Sequence, residues 1–183
     1  MKALPLCDPV HKVSIISRGM ALGWTLSLPE EDKYLISRDE LMDEIAGIMG
    51  GRVAEEIVFG DVTSGAENDI QKATQLARRM VTQWGMSEKL GTVTMGHKEE
   101  LVFLGRDLGE QRNYSEEVAA LIDEEIKGFV SEAYEKAKRI LTEQRAKMDA
   151  VVERLKVEET IDAAQLDEIL TSPAAGSAAQ VVS

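Results

Sequence analysis

Few side chains in this chain are able to do chemistry, and their spacing removes most of the familiar arrangements. His11 and His97 are too far apart to read as a metal-ligand pair, and no His-Glu-x-x-His occurs anywhere. Cys7 stands alone, which excludes an intrachain disulfide and a multi-cysteine zinc knuckle, and it has no evident partner base. Ser64 is not in a Gly-x-Ser-x-Gly elbow. No Gly-x-x-x-x-Gly-Lys-Ser/Thr loop is present, so this chain does not bind ATP through a P-loop. The informative residue is Asp69. Its helix carries Ile70, Ala73, Ala77, Met80 and Trp84 as an apolar stripe centred near Ala73. Asp69 lies one turn before Ala73 on the same face, and Asn68 points the other way. A carboxylate aimed at a core is costly unless it is paired, hydrogen-bonded or bound to a metal. At a helix start a negative charge also interacts favourably with the macrodipole. The pattern alone leaves two readings: a buried acid satisfied by amides or an arginine, or a ligand or catalytic carboxylate.

The elements that must position such a residue are mainly helical. Ser37-Arg38-Asp39-Glu40 is a capping box opening a helix with Leu41, Ile45, Ile48, Met49, Val53 and Ile57 on one face, closed by Gly60. Gly50-Gly51 in its middle costs roughly 1 kcal/mol per glycine against alanine, for which close helix packing is the expected compensation. Ser64 to Glu67 reads as a second capping box ahead of the Asp69 helix, with Gly85 beyond its end. Residues 86–112 look irregular apart from a β-rich piece at Thr92–Met95. A long helical tract starts near Tyr114, carries Val118, Ile122, Ile126, Phe129, Ala133, Ala137 and Ile140 down one face, and breaks within 140–160. A short helix over Asp162–Leu170 follows. Ahead of all this, residues 10–16 and 21–28 read as a small β-hairpin or strand pair, with alternation at Leu22, Trp24, Leu26 and Leu28. The fold class expected is mainly α, with a small β element near the N-terminus, over residues 1–170, and a disordered tail over 171–183.

Composition narrows the function classes. The chain has 183 residues, with 33 acids against 21 bases, a net charge of −12 and 44% hydrophobic residues. That suits a globular domain with a real core in a reducing compartment, without disulfides. The acidity argues against broad nucleic-acid binding. No apolar run approaches the roughly 18 residues of a membrane helix, so this piece is expected to be soluble. Met42, Met49 and Met80 sit at core spacing and read as packing residues. His11 and His97 read as surface or packed residues, and Glu55 and Glu56, beside Arg52, as a solvated face or an internal ion pair.

Six ordered segments then carry a resemblance: Asp8-Pro9-Val10-His11-Lys12-Val13, Arg18-Gly19-Met20-Ala21-Leu22-Gly23, Leu28-Pro29-Glu30-Glu31-Asp32, Gly50-Gly51-Arg52-Val53-Ala54-Glu55-Glu56, Thr63-Ser64-Gly65-Ala66-Glu67-Asn68-Asp69-Ile70, and Met80-Val81-Thr82-Gln83-Trp84-Gly85-Met86-Ser87. Over about residues 5–170 the chain resembles the C-terminal peptidase domain of the FtsH family of ATP-dependent zinc metalloproteases. The resemblance implies a helical peptidase domain. It implies zinc held by two histidines of a His-Glu-x-x-His helix and by an aspartate, which maps onto Asp69, with the glutamate of that motif activating water. It implies that Gly19, Met20, Ala21, Leu22 and Gly23 belong to a strand beside the cleft that takes up an extended protein substrate. Glu55 and Glu56 would stand behind the metal ligands, on a helix packed near the zinc helix. ATP and magnesium would enter only through a separate ATPase module, and the membrane only through anchor segments, with this domain on the cytoplasmic, matrix or stromal side. The partners implied are protein substrates and the other subunits of a hexamer, with no nucleic acid.

The sequence departs from the family in two ways. Ser17 replaces a proline common before the Arg-Gly pair. The chain also begins at Met1, where the family's His-Glu-x-x-His would just have ended, which leads us to expect a piece that alone is inactive and binds zinc poorly. The absent zinc helix would pack on the Leu41–Ile57 and Ile70–Trp84 faces, so aggregation or altered packing of the piece is expected. Two alternatives belong to other classes: a non-catalytic helical oligomerisation module, or pseudo-protease, and an unrelated acidic helical adaptor.

Overall fold

A computed structural model of the chain describes residues 1–17, 19, 23–29, 34–96 and 114–172. The described elements are β1 (Val10–Ser14), β2 (Trp24–Ser27), α1 (Arg38–Phe59), a 3-10 turn (Ser64–Ala66), α2 (Glu67–Thr82), α3 (Glu116–Glu143), α4 (Arg145–Glu158), β3 (Thr160–Asp162) and α5 (Ala163–Thr171). The mainly helical class with a small sheet is thus observed. No helix among the described residues is long and apolar enough to cross a membrane. The chain divides into two compact units: one built from Met1, 3–7 and 34–139, the other from Lys2, 8–33 and 140–183.

In the first unit α1 begins at the expected capping box. Ser37 Oγ accepts from the Glu40 amide, and the Glu40 carboxylate accepts from the Ser37 amide at 2.8 Å. It ends at Gly60, whose φ of 68° is the left-handed cap that glycine adopts without penalty. Leu41, Ile45, Met49 and Val53 of α1 pack with Ala73, Ala77, Met80 and Val81 of α2 and Ile122, Ile126, Phe129, Ala133 and Ala137 of α3 as the buried side chains of this unit. Met42, Met49 and Met80 are buried, as their spacing predicts. Asp43, only 1% exposed, accepts from the Leu6 amide at 3.2 Å and is paired with the Lys136 ammonium, which satisfies a carboxylate that burial would otherwise penalise.

Several expectations fail in this unit. Ile70 and Trp84, placed at the ends of the α2 stripe, are each 38% exposed, because the buried line runs Ala73–Ala77 and on to Met80 and Val81, with Asp69 half-buried at its start. Thr92–Met95 is not a strand: the Met95 amide donates back to Thr82 O at 2.8 Å, and Gly85, at φ 59°, lets Thr92 Cα come within 2.9 Å of where a Cβ would stand. The Gly50–Gly51 pair does not mark tight helix packing, since a Cβ built at Gly50 meets nothing within 4 Å and one at Gly51 meets only Asp69 Oδ2, at an ordinary 3.9 Å.

In the second unit β1 pairs antiparallel with β2 and with β3, in the order β2-β1-β3. Val13 faces Thr25 on one side and Ile161 on the other. Val10, Leu155, Ile161 and Leu166 form its buried core, with Val13, Val151, Ile169 and Leu170 packed against them. The expected break falls at Gln144, between α3 and α4, and again at Glu159. β3 is an addition that the sequence did not suggest. Asp162 opens α5 with a capping box to Gln165. The alternation expected over 21–28 does not fill a core: Leu26 and Leu28 are 38% and 48% exposed, and Leu22 lies outside the described residues. So does the tail from 173 on.

Candidate functional site

Asp69 stands in the first turn of α2, partly buried, and its Oδ2 lies 3.9 Å from where a Cβ of Gly51 would be. The carboxylate therefore looks across at α1, over a residue that has no side chain to cover it. Ala73 and Ala77, further along the same face and fully buried, let the two helices pack closely behind it. Among the described residues no side chain or amide pairs with this partly buried carboxylate.

The start of α2 is not capped as the sequence suggested. Ser64 is no cap here: Thr63 caps the 3-10 turn, accepting from the Gly65 amide at 3.1 Å, and α2 continues out of that turn with no side-chain cap at Ala66. Two neighbouring hydroxyls compete for the same role, and a contact from α1 decides between them. The Glu55 carboxylate accepts from the Thr63 hydroxyl at 2.7 Å and from its amide at 3.3 Å, and Arg52 donates to Thr63 O at 3.1 Å. Glu55 thus holds the α1–α2 connection.

Glu56 turns toward α3. It accepts from the Tyr134 hydroxyl and from Lys138 at 2.9 Å, and Lys138 also lies 5.6 Å from the Tyr134 ring centre. The Tyr134 hydrogen bond, then that of Lys138, holds the Glu56 carboxyl below its ordinary range. The Glu56 carboxylate in turn raises both the Tyr134 phenol and the Lys138 ammonium. Thr63, Tyr134 and Lys138 escaped the sequence reading because nothing in their local sequence marks them as partners of α1; Tyr134 is 78 residues from Glu56.

In the other unit, Gly19 sits in a turn at φ 64° with nothing within 4 Å of where a Cβ would stand, and Gly23 lies against β1, where a Cβ would come within 2.9 Å of Ser14 O. Gly23 is therefore needed for the close approach of the two chain segments. Met20, Ala21 and Leu22 lie outside the described residues, as does His97, while His11 is exposed on β1. Among the described residues no three His, Cys, Asp or Glu side chains stand together as a metal-binding group.

Comparison with known proteins supplies the rest of the context. The family model described as Peptidase family M41 matches residues 2–169, across both compact units. The chain is 56% identical over 169 residues to the ATP-dependent zinc metalloprotease FtsH of Thermotoga maritima, covering 92% of this chain and 28% of that protein. It is 55% identical over 167 residues to ATP-dependent zinc metalloprotease FtsH 3 of Symbiobacterium thermophilum (91% and 27%) and 51% identical over 164 residues to the FtsH of Bacillus subtilis (89% and 26%). The chain thus spans about a quarter of the length of the curated relatives it matches. A peptidase model that matches residues 2–169, together with relatives 51–56% identical over nearly the whole chain, gives one family assignment: this chain belongs to peptidase family M41.

Proposed function

We propose that this chain is the peptidase portion of an ATP-dependent zinc metalloendopeptidase, and that Asp69 is one of the zinc ligands. The observation that carries the reading is the Asp69 carboxylate itself: partly buried, aimed at the bare backbone of Gly51, and unpartnered among the described residues. A carboxylate is a suitable zinc donor, and a site of two histidines and one carboxylate keeps a position open for water. The donor set here is incomplete, because no three-ligand group exists among the described residues; the two histidines would come from outside them. When bound, zinc supplies Lewis acidity and a water activated near neutral pH.

The chain's own residues have simpler tasks. Asp69 would hold one face of the metal, and Gly51 leaves the space in front of it free. In the second unit β2 is paired by β1 on one side and by no other strand among the described residues, so its second edge is where the main chain of an extended protein substrate would add as a strand, with Gly23 directly ahead of it. ATP and magnesium would be handled by a separate module, and membrane anchors and the contacts of a hexamer would serve a longer protein of which this chain forms part.

Casein digestion by the full-length protein tests the proposal. Cleavage that stops on chelation, returns with added zinc and falls to background in Asp69→Asn is expected, whereas the 183-residue chain alone is expected to give none. Cleavage that survives complete removal of zinc contradicts the reading.

A further inference from the structure

Asp69 has an odd mechanical situation. No polar group among the described residues grips its carboxylate, so its position comes only from the backbone of the α2 first turn. That turn has no side-chain cap of its own. The alanines behind it, Ala73 and Ala77, offer little relief to interlock with α1, so packing there sets helix separation better than axial register. Something else must fix where the turn begins.

Thr63 is the residue so placed. All three of its polar groups are held by two side chains one turn apart on α1. The Glu55 carboxylate takes the hydroxyl proton at 2.7 Å and the amide at 3.3 Å, and Arg52 reaches the carbonyl at 3.1 Å. Because the hydroxyl gives its only proton to Glu55, its lone pairs are left for the Gly65 amide at 3.1 Å. Gly65 has no side chain to interfere; a Cβ there would press on Thr63 Oγ1 at 3.3 Å. Arg52 and Glu55 are 3.9 Å apart and each 22% exposed, so the two clamping side chains are themselves half-buried on α1, while Thr63 is exposed. From Thr63 the chain runs through the 3-10 turn, in which the Glu67 amide donates to Ser64 O, directly to Asp69. The same stretch of α1 that grips Thr63 contains Gly51, the residue the Asp69 carboxylate faces.

We propose that Thr63, clamped by Arg52 and Glu55, is a positioning residue that sets the direction of the Asp69 carboxylate and thereby tunes metal affinity. This rests on the reading of Asp69 as a zinc ligand. Zinc affinity of the full-length protein, measured by competition with a chromophoric chelator, tests it. Thr63→Val, which keeps the shape but loses the hydroxyl, should weaken zinc binding by about 10- to 100-fold, the range found when groups orienting a metal ligand are removed. Thr63→Ser should restore it. Ser87→Ala, which removes a hydrogen bond to Glu125 of α3 at 2.7 Å and touches none of Arg52, Glu55, Thr63 or Asp69, should lower the melting temperature and leave zinc affinity unchanged. Glu55→Gln is the second variant should Thr63→Val not fold, and should give a smaller loss in the same direction. Wild-type affinity in both Thr63→Val and Glu55→Gln, with Asp69→Asn unable to bind, overturns the positioning role and leaves the ligand standing. A Thr63→Ser protein as weak as Thr63→Val also overturns it. Undiminished zinc in Asp69→Asn sinks the ligand reading itself.

Discussion

At the scale of single residues, Asp69 was legible in the sequence because its cost was visible: a carboxylate one turn before Ala73 on an apolar face. The structure shortens that face by exposing Ile70 and Trp84, yet keeps Asp69 in line with Ala73 and Ala77. The partners of Glu55 and Glu56 were not legible, since they are chosen by contacts across a turn and across the unit. The Glu56 group gives a pH signature. Its pKa lies below the ordinary 4.5, chiefly through the Tyr134 hydrogen bond, so its contribution to stability is whole above 4.5 and is lost as pH falls through the folded value. Lys138 and Tyr134, both raised by Glu56, contribute below their ordinary 10.5 and 10.0, and that contribution is lost as pH rises through their folded values. Tyr134→Phe removes the main cause on the acid side. Melting temperatures followed from about pH 7 to about pH 3 should therefore fall less in the variant than in the wild type. Parallel curves would show that the hydrogen bond contributes nothing to the linkage.

At the scale of elements, what the sequence shows well is what local chemistry decides. The Ser37–Glu40 box, the Gly60 stop and the break between α3 and α4 all follow from residues within a few positions of one another. What it hides is decided by distant chain. β3 is only three residues long and exists because Val13 of β1 pairs with Ile161, with Ser14 Oγ 2.7 Å from Thr160 Oγ1. The reverse error at Thr92–Met95 has the same origin: β-favouring side chains were outweighed by a backbone that hydrogen-bonds to the end of α2. Ile161 is fully buried in the second unit's core with Val10, Leu155 and Leu166. Ile161→Ala should cost about 2–5 kcal/mol, read by denaturant unfolding, with amide exchange accelerated in β1 and β3. A loss below about 0.5 kcal/mol, the size of an ordinary surface substitution, would show that this strand does not support the core.

At the scale of the whole molecule, the net charge of −12 comes from 33 acids against 21 bases, and part of it lies on the described helices. Arg145–Asp149, Arg154–Glu158 and Lys156–Glu153 are partly exposed pairs three or four residues apart, each worth about 0.3–0.5 kcal/mol. The family match runs through both compact units, so the family assignment belongs to the chain as a whole, while the chain accounts for only about a quarter of its relatives' length. Everything proposed about catalysis therefore turns on whether Asp69 meets a metal. A crystal structure of the full-length protein with anomalous data collected at the zinc edge asks this directly. The account predicts a zinc peak about 2.0–2.2 Å from an Asp69 carboxylate oxygen. A fully occupied zinc bound elsewhere, with Asp69 turned to a protein partner, would contradict it.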